Sequence, residues 1–254
     1  MTLILTHISR HGIIHASDSN LTAVDSSPAG QAKKTFRLPR LRAGLTIAGS
    51  YSVGGVPMDR WMNLFISQHS ISTGSLATFA YALSKALESE MLSEEKKGGS
   101  LVHIAGYVKD KGRYHPEFYF VRNVHGIASS GEYTDIRNDF AVSEDFWTRD
   151  CPRENLMDAF QRDVCQLYIN GFPEGRIGYL ALQAPLTMFF SEVWSQPTWG
   201  FRPPRTAIET AEFLKLYMTV IATLFRVSDY PARFIGGKVQ LLRIAQPKRV
   251  ATRC

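Results

Sequence analysis

Residues 2–34 read TLILTHISRHGIIHASDSNLTAVDSSPAGQAKK, and the fold follows from how this stretch is parsed. Two short β patterns, Leu3 to Ile8 and Ile13 to Ser17, are joined at Ser9-Arg10-His11-Gly12, a polar run ending in glycine that suits a hairpin turn. A threonine therefore stands at the open end of a hairpin. The second pattern ends in Asp18-Ser19-Asn20, and a third follows around Lys33-Lys34-Thr35-Phe36. Thr2 lies beside the initiator methionine, and a small second residue favours removal of that methionine. Hydroxyl and α-amine would then share one residue. A free α-amine has a pKa of about 7.7 to 8.0, so near neutral pH an appreciable share is unprotonated and can take the hydroxyl proton, directly or through a water. A lysine ammonium close to the hydroxyl favours the alkoxide, and an aspartate would hold that lysine. Thr2, Lys34 and Asp18 supply the three parts, with the Thr2 hydroxyl expected at an exposed chain end.

The ordered series Thr2, Arg10-His11-Gly12, Asp18-Ser19, Thr22 and Lys33-Lys34, followed by Ala48-Gly49, resembles the proteasome β subunits and their bacterial relatives: the HslV peptidase, Anbu and the ring-forming bacterial proteasome homologues. The resemblance is dense over residues 2–49 and looser beyond. It implies that Thr2 is both nucleophile and base, that Asp18 and Lys34 tune it, and that the Gly49 N–H serves the oxyanion. Leu21, Ala32 and Ile47 would line an apolar pocket beside Thr2. Ala128-Ser129-Ser130-Gly131-Glu132-Tyr133 resembles the family's Gly-Ser-Gly-Ser motif and puts Ser130 against the α-amine, although Ser-Gly after a strand is also an everyday turn. The implied fold is α+β, a four-layer αββα sandwich. Two departures stand out. Ile235 and Ala232 occupy places where many members carry Ser and Asp, with Asp229 three residues further back, and Asn20 stands where proteasome subunits usually have Arg.

Along the chain, Ala43 to Ala48 reads as a buried strand ending in Gly49, and Pro57 can open a helix carrying Trp61, Leu64 and Phe65 on one side. A longer helix is expected after Gly74, with Leu76, Phe79, Ala80, Leu83, Leu87 and Met91 at helical spacing, stopped near Glu94 to Gly99. Strands are expected at Leu101 to Val108, Glu117 to Val121 and Ile127 to Ser129. This order suits two sheets packed face to face with helices outside. Leu156, Phe160, Val164 and Leu167 predict a helix ending near Asn170-Gly171. Phe172 to Pro204 is an aromatic insertion holding Met188, Phe189, Phe190, Trp194, Trp199 and Phe201. It reads either as a flap over the chain's own core or as an inter-subunit contact. Thr206-Ala207-Ile208-Glu209 reads as a capping box opening a helix to about Arg226, and Phe234 to Ile244 as a last strand with its Gly236-Gly237 pair.

The 254 residues read as one domain, 1–254, with the insertion at about 171–204 and a short basic tail at Lys248-Arg249 and Arg253. Lys and Arg number 29 against 23 Asp and Glu, a mild +6 spread along the chain, and no helix-turn-helix, zinc-finger or RRM motif accompanies it, so nucleic acid is not an expected partner. Three cysteines, Cys151, Cys165 and Cys254, without CxxC spacing point to a reducing compartment. The opening is too short for a secretory signal and no uncharged apolar run reaches about 18 residues, so a cytoplasmic protein away from membranes is expected. His7, His11 and His15 are four apart, but a hairpin would not let them converge on a metal. No GxSxG, P-loop or GxGxxG signature is present. The resulting expectation is a threonine-type peptidase of a self-compartmentalising, homo-oligomeric ring, acting on unfolded or peptide substrates without cofactor or metal. A small-molecule amidohydrolase and a catalytically inactive ring-forming homologue are the alternatives, and nothing in the chain marks an ATPase partner.

Overall fold

In the computed structural model, the described residues are 2–22, 27–69, 74–128, 133–143, 156, 162, 165–171, 182, 185–186, 188–196, 198, 200–227 and 235–247. Strands β1 (Leu3–Ser9) and β2 (Gly12–Ser17) form the hairpin read from the opening stretch. Every residue of β2 is buried, as are all but one of β1, because both faces of the pair are covered. Leu3, Leu5, Ile14 and Ala16 pack to one side, while Ile4, Ile8 and Ile13 pack to the other. This double burial explains why the hairpin reads as near-continuous apolar runs rather than a polar alternation.

Short strands β3 (Asn20–Thr22) and β4 (Pro28–Gln31) pair with each other, and β5 (Thr35–Leu38) and β6 (Ala43–Gly49) form the next antiparallel pair. After the two-residue strands β7 (Ser52–Val53) and β8 (Val56–Pro57) come helices α1 (Met58–His69), α2 (Leu76–Glu90) and the short α3 (Ser93–Lys97). In α2 the residues expected to face inward do so: Leu76, Phe79, Ala80, Leu83 and Leu87 are all buried, and the Ser75 hydroxyl accepts the Thr78 N–H at 3.0 Å as the N-cap. Strands β9 (Ser100–Asp110), β10 (Arg113–Ile127), β11 (Tyr133–Ser143) and β12 (Gln166–Gly171), a helical run at 188–195, helix α4 (Ala207–Val227) and β13 (Gln240–Ala245) follow.

The four-stranded sheet runs β12-β1-β2-β13 and the five-stranded one β11-β10-β9-β6-β5. A core of Ile4, Ile8, Ile13, Leu101, Phe118 and Phe120 lies between them. A second core packs β5, β6, β9 and β10 under α1 and α2, and a third packs β1 and β2 under α4. Asn123, at an irregularity of β10 and fully buried, accepts the Ser100 N–H at 2.7 Å and donates to the Lys96 and Arg137 carbonyls, tying α3, β9 and β11 together.

Several expectations are corrected. The chain is not a four-layer αββα sandwich: the described residues are mostly antiparallel strand distributed over four sheets, with few helices beside them. On the four-stranded sheet α4 is joined by Leu182, Leu186 and Phe190, which are themselves helical, Phe190 within the helical run 188–195. The helix expected to end at Asn170-Gly171 is replaced at Gln166–Gly171 by β12, antiparallel to β1, because the outer edge of β1 needs a hydrogen-bonding partner. Tyr133–Ser143, given no element from sequence, is β11, and β10 is one continuous strand where two were expected. Asp229, Ala232, Trp199, Cys151, Cys254 and the basic tail lie outside the described residues.

Buried polar groups also meet between the sheets. Thr6 Oγ1 lies 3.0 Å from His15 Nδ1 and 3.1 Å from His103 Nδ1, and Asn170 Nδ2 lies 2.9 Å from His103 Nε2. With the Asn170 amide donating to His103 Nε2, His103 carries its proton on Nδ1 and donates to Thr6, whose hydroxyl donates on to His15. The chain of donors runs one way.

Candidate active site

Thr2 precedes β1, and its backbone is located by the strand beside it. Leu3 pairs with Gly171 of β12, whose φ is 120°; a Cβ on Gly171 would come within 1.9 Å of the Thr2 carbonyl oxygen. Only glycine admits that approach. The Tyr133 hydroxyl in turn accepts the Gly171 N–H at 2.7 Å and donates to the Gly171 carbonyl. Thr2 is 4% exposed, so the expectation of an exposed terminal hydroxyl is corrected.

Asp18 follows the end of β2 and is 1% exposed. Its Oδ1 accepts the Leu3 N–H at 2.9 Å, and its Oδ2 accepts the N–H groups of Asn20 at 3.1 Å and Gly236 at 3.4 Å. Lys34, just before β5 and also 1% exposed, reaches the same place: its Nζ donates to Thr2 Oγ1 at 2.6 Å, to Asp18 Oδ2 at 3.5 Å and to the Asn20 carbonyl. Three acceptors meet the three donors of an ammonium. The Lys34 main chain is held as well, its N–H donating to Gln240 Oε1 at 2.8 Å and its carbonyl accepting the Ile47 N–H at 3.0 Å.

Burial lowers the Lys34 pKa, and the Asp18 carboxylate restores part of it. Burial likewise raises the Asp18 pKa, against the pull of Lys34 and the backbone N–H groups of Leu3 and Gly236. The pair is therefore a proton-poised unit, with an ammonium that releases its proton more readily than a surface lysine. With residue 1 removed, the Thr2 nitrogen becomes an amine on the same residue as a hydroxyl that already accepts from Lys34. That arrangement can activate an oxygen nucleophile without histidine.

Gly49 closes β6 opposite Ser100, two residues beyond Ile47 and thus toward the Lys34 end of the sheet. Its φ is 103° and a Cβ would lie 2.0 Å from the Gly99 carbonyl oxygen, so a side chain is excluded there. Ser130 lies outside the described residues. The three residues expected to form the apolar pocket have different surroundings. Ile47 is 3% exposed within the core under α1 and α2, Leu21 is half-buried in β3 opposite Gly30, and half-buried Ala32 donates its N–H to the Ser19 carbonyl at 2.9 Å. Ile235, where the resemblance would place a serine, is 1% exposed and packs with Leu3 and Ile14 under α4.

Sequence reasoning missed Gln240, Gly236 and Tyr133. Gln240 and Gly236 act on Lys34 and Asp18 from more than 200 positions away, and their only sequence mark was the Gly236-Gly237 pair. Tyr133 closes the Ala128–Tyr133 stretch and has no other mark in the sequence. Asn20, noted as a departure, contributes its carbonyl, which any residue type supplies. His7, His11 and His15 do not converge, since His15 pairs across from Thr6 while His11 sits in the turn. Among the described residues no helix is long and apolar enough to cross a membrane. No protein-family model matches the chain, and a search of curated proteins found no match.

Proposed function

We propose that this chain is a threonine-type N-terminal-nucleophile amidohydrolase of the proteasome-β kind, acting on peptide bonds as a self-compartmentalising peptidase in a reducing, cytoplasmic setting. The observation that carries the reading is the 2.6 Å contact from Lys34 Nζ to Thr2 Oγ1, with Asp18 completing the set in a site almost closed to water. After removal of Met1, the Thr2 hydroxyl oxygen attacks the amide carbon while its proton passes to the Thr2 amine. Lys34 stays cationic and holds the developing charge on that oxygen. The Gly49 N–H is the proposed donor to the oxyanion. Collapse of the tetrahedral intermediate breaks the C–N bond, the amine returns the proton to the leaving nitrogen, and an ester to Thr2 remains for water to hydrolyse. No step calls for a metal or cofactor.

One observation favours a second reading, the catalytically inactive homologue: Ile235 is apolar and sealed in the core where a hydroxyl would orient the amine. Incubation with an N-terminal-threonine-directed electrophile, followed by intact-mass measurement and mapping of the adduct, separates the two. An adduct on Thr2 of a chain lacking Met1 is the expected result. A chain that retains Met1 and stays unmodified would overturn the proposal.

A further inference from the structure

Behind the Thr2 centre, between α4 and the loop carrying Gly236 and Gly237, lies an open cleft of about 320 Å³. Thr219, Thr223 and Arg226 line it from α4 at spacings of four and three residues, which puts them on one face of that helix. Asn20 and Gln31 face them from the paired strands β3 and β4, so the walls carry two hydroxyls, two amides and one guanidinium. No carboxylate stands among the described lining residues to neutralise Arg226. The remaining described lining is Gly236, Gly237 and the apolar Ala222, Val239 and nearly buried Ile235.

We propose that this cleft binds a small molecule carrying a carboxylate on a short apolar body, such as an N-acylated amino acid. An exposed, permanently charged guanidinium matches a carboxylate through two parallel N–H donors, and the hydroxyls of Thr219 and Thr223 stand one turn apart beside it. The volume is at the small end of ligand pockets, which suits one side chain and one acyl group rather than a folded partner. Among the described lining residues a single cation beside apolar side chains favours a monoanion of mixed character over a phosphate. Two of the lining residues also belong to the Thr2 centre: the Asn20 carbonyl accepts from Lys34, and the Gly236 N–H reaches Asp18. A ligand here would sit against the backbone that holds the Lys34–Asp18 pair, and Thr2 is not among the described lining residues.

The inference does not require Thr2 to be a nucleophile, and the test keeps the two apart by using both the native chain and Thr2→Ala. Calorimetric titration with N-acetyl-leucine is compared with its neutral analogue, N-acetyl-leucinamide. One acid molecule per chain is expected in both backgrounds, with the amide at least tenfold weaker. Arg226→Gln should weaken the acid about tenfold or more, the usual loss for a hydrogen bond to a charged group, and Thr223→Val by a smaller factor. Arg226 is exposed and Thr223 half-buried on α4, and a melting curve establishes that the variants are folded. Absence of binding up to about 10 mM, equal binding of acid and amide, or an affinity unchanged in Arg226→Gln would each overturn the proposal.

Discussion

At the scale of single residues, the Lys34–Asp18 pair ties stability to the site. Lys34→Met leaves a buried carboxylate without its cation, and such a loss costs roughly 3 to 5 kcal/mol; urea denaturation should show it, with part of the stability returning in Lys34→Met/Asp18→Asn. No recovery in the double variant would mean that Lys34 acts on Thr2 alone. Thr2→Ala should abolish turnover, and because Thr2 is buried and accepts from Lys34 it should also cost about 1 to 3 kcal/mol. The histidines between the sheets give a second dependence. Burial lowers the His15 pKa to about 4, with backbone carbonyls opposing, and His103 falls well below its usual value for the same reason, assisted by His15. The unfolded chain binds the His15 proton near pH 6.5 and the folded chain does not until about pH 4, so stability is full above the upper value and is lost as pH falls toward the lower; His103 acts in the same direction. His15 alone accounts for a swing on the order of 3 kcal/mol. Denaturation midpoints taken between pH 7.5 and 4.5 should fall steeply in the native chain and less in His15→Asn.

At the scale of elements, Gly171 is the point where β12 meets Thr2. Gly171→Ala forces a side chain onto the Thr2 carbonyl at a φ of 120°, a backbone penalty of about 1 to 3 kcal/mol before any clash is relieved. The expected outcome is a lower melting temperature together with loss of reaction at Thr2, whereas Tyr133→Phe should slow that reaction with a smaller effect on melting. Unchanged reactivity in Gly171→Ala would detach β12 from the site. The same elements mark where sequence reading succeeded and where it stopped. The hairpin was legible because turn chemistry and apolar runs are local signals, whereas Asp18 and Lys34 were picked out by the resemblance and by what an N-terminal threonine would need, and the structure brings both to Thr2. Helices α1, α2 and α4 were legible from periodicity, with Pro57 before α1 and Thr206 before α4, except that Leu64, expected beside Trp61 and Phe65, is 57% exposed. Strand β12 was not, since Leu156, Phe160, Val164 and Leu167 keep helical spacing and what makes 166–171 a strand is an open edge of β1, some 160 positions earlier. The layered helical architecture failed for a related reason: strands such as β11 form only against partners that no local pattern reveals.

At the scale of the whole molecule, the insertion divides between the two readings left open by sequence. Leu182, Leu186 and Phe190 pack onto the core under α4, and Phe190 stacks on Trp194 at 5.6 Å and meets Phe213 edge-on at 4.9 Å, as a flap would. Met188 is nevertheless 74% exposed, Phe189 59% and Phe201 60%, while α4 exposes Leu224 and Val227. Scattered apolar exposure is ordinary, but aromatic exposure beside an apolar helix favours association. A large homo-oligomer with the insertion at or near a subunit contact is therefore expected, and Met188→Glu/Phe189→Glu should dissociate it without unfolding the chain. Sedimentation of the native chain as a monodisperse 28.5 kDa species at micromolar concentration would defeat this and favour the small-molecule amidohydrolase. Chain ends usually fray, opening and closing far faster than a domain unfolds. Here β1 is hydrogen-bonded along both edges, and the Leu3 N–H is sealed onto Asp18. Exchange of the β1 amides with solvent deuterium thus requires opening the central hairpin itself, so the strand that carries the proposed nucleophile has the local lifetime of the core.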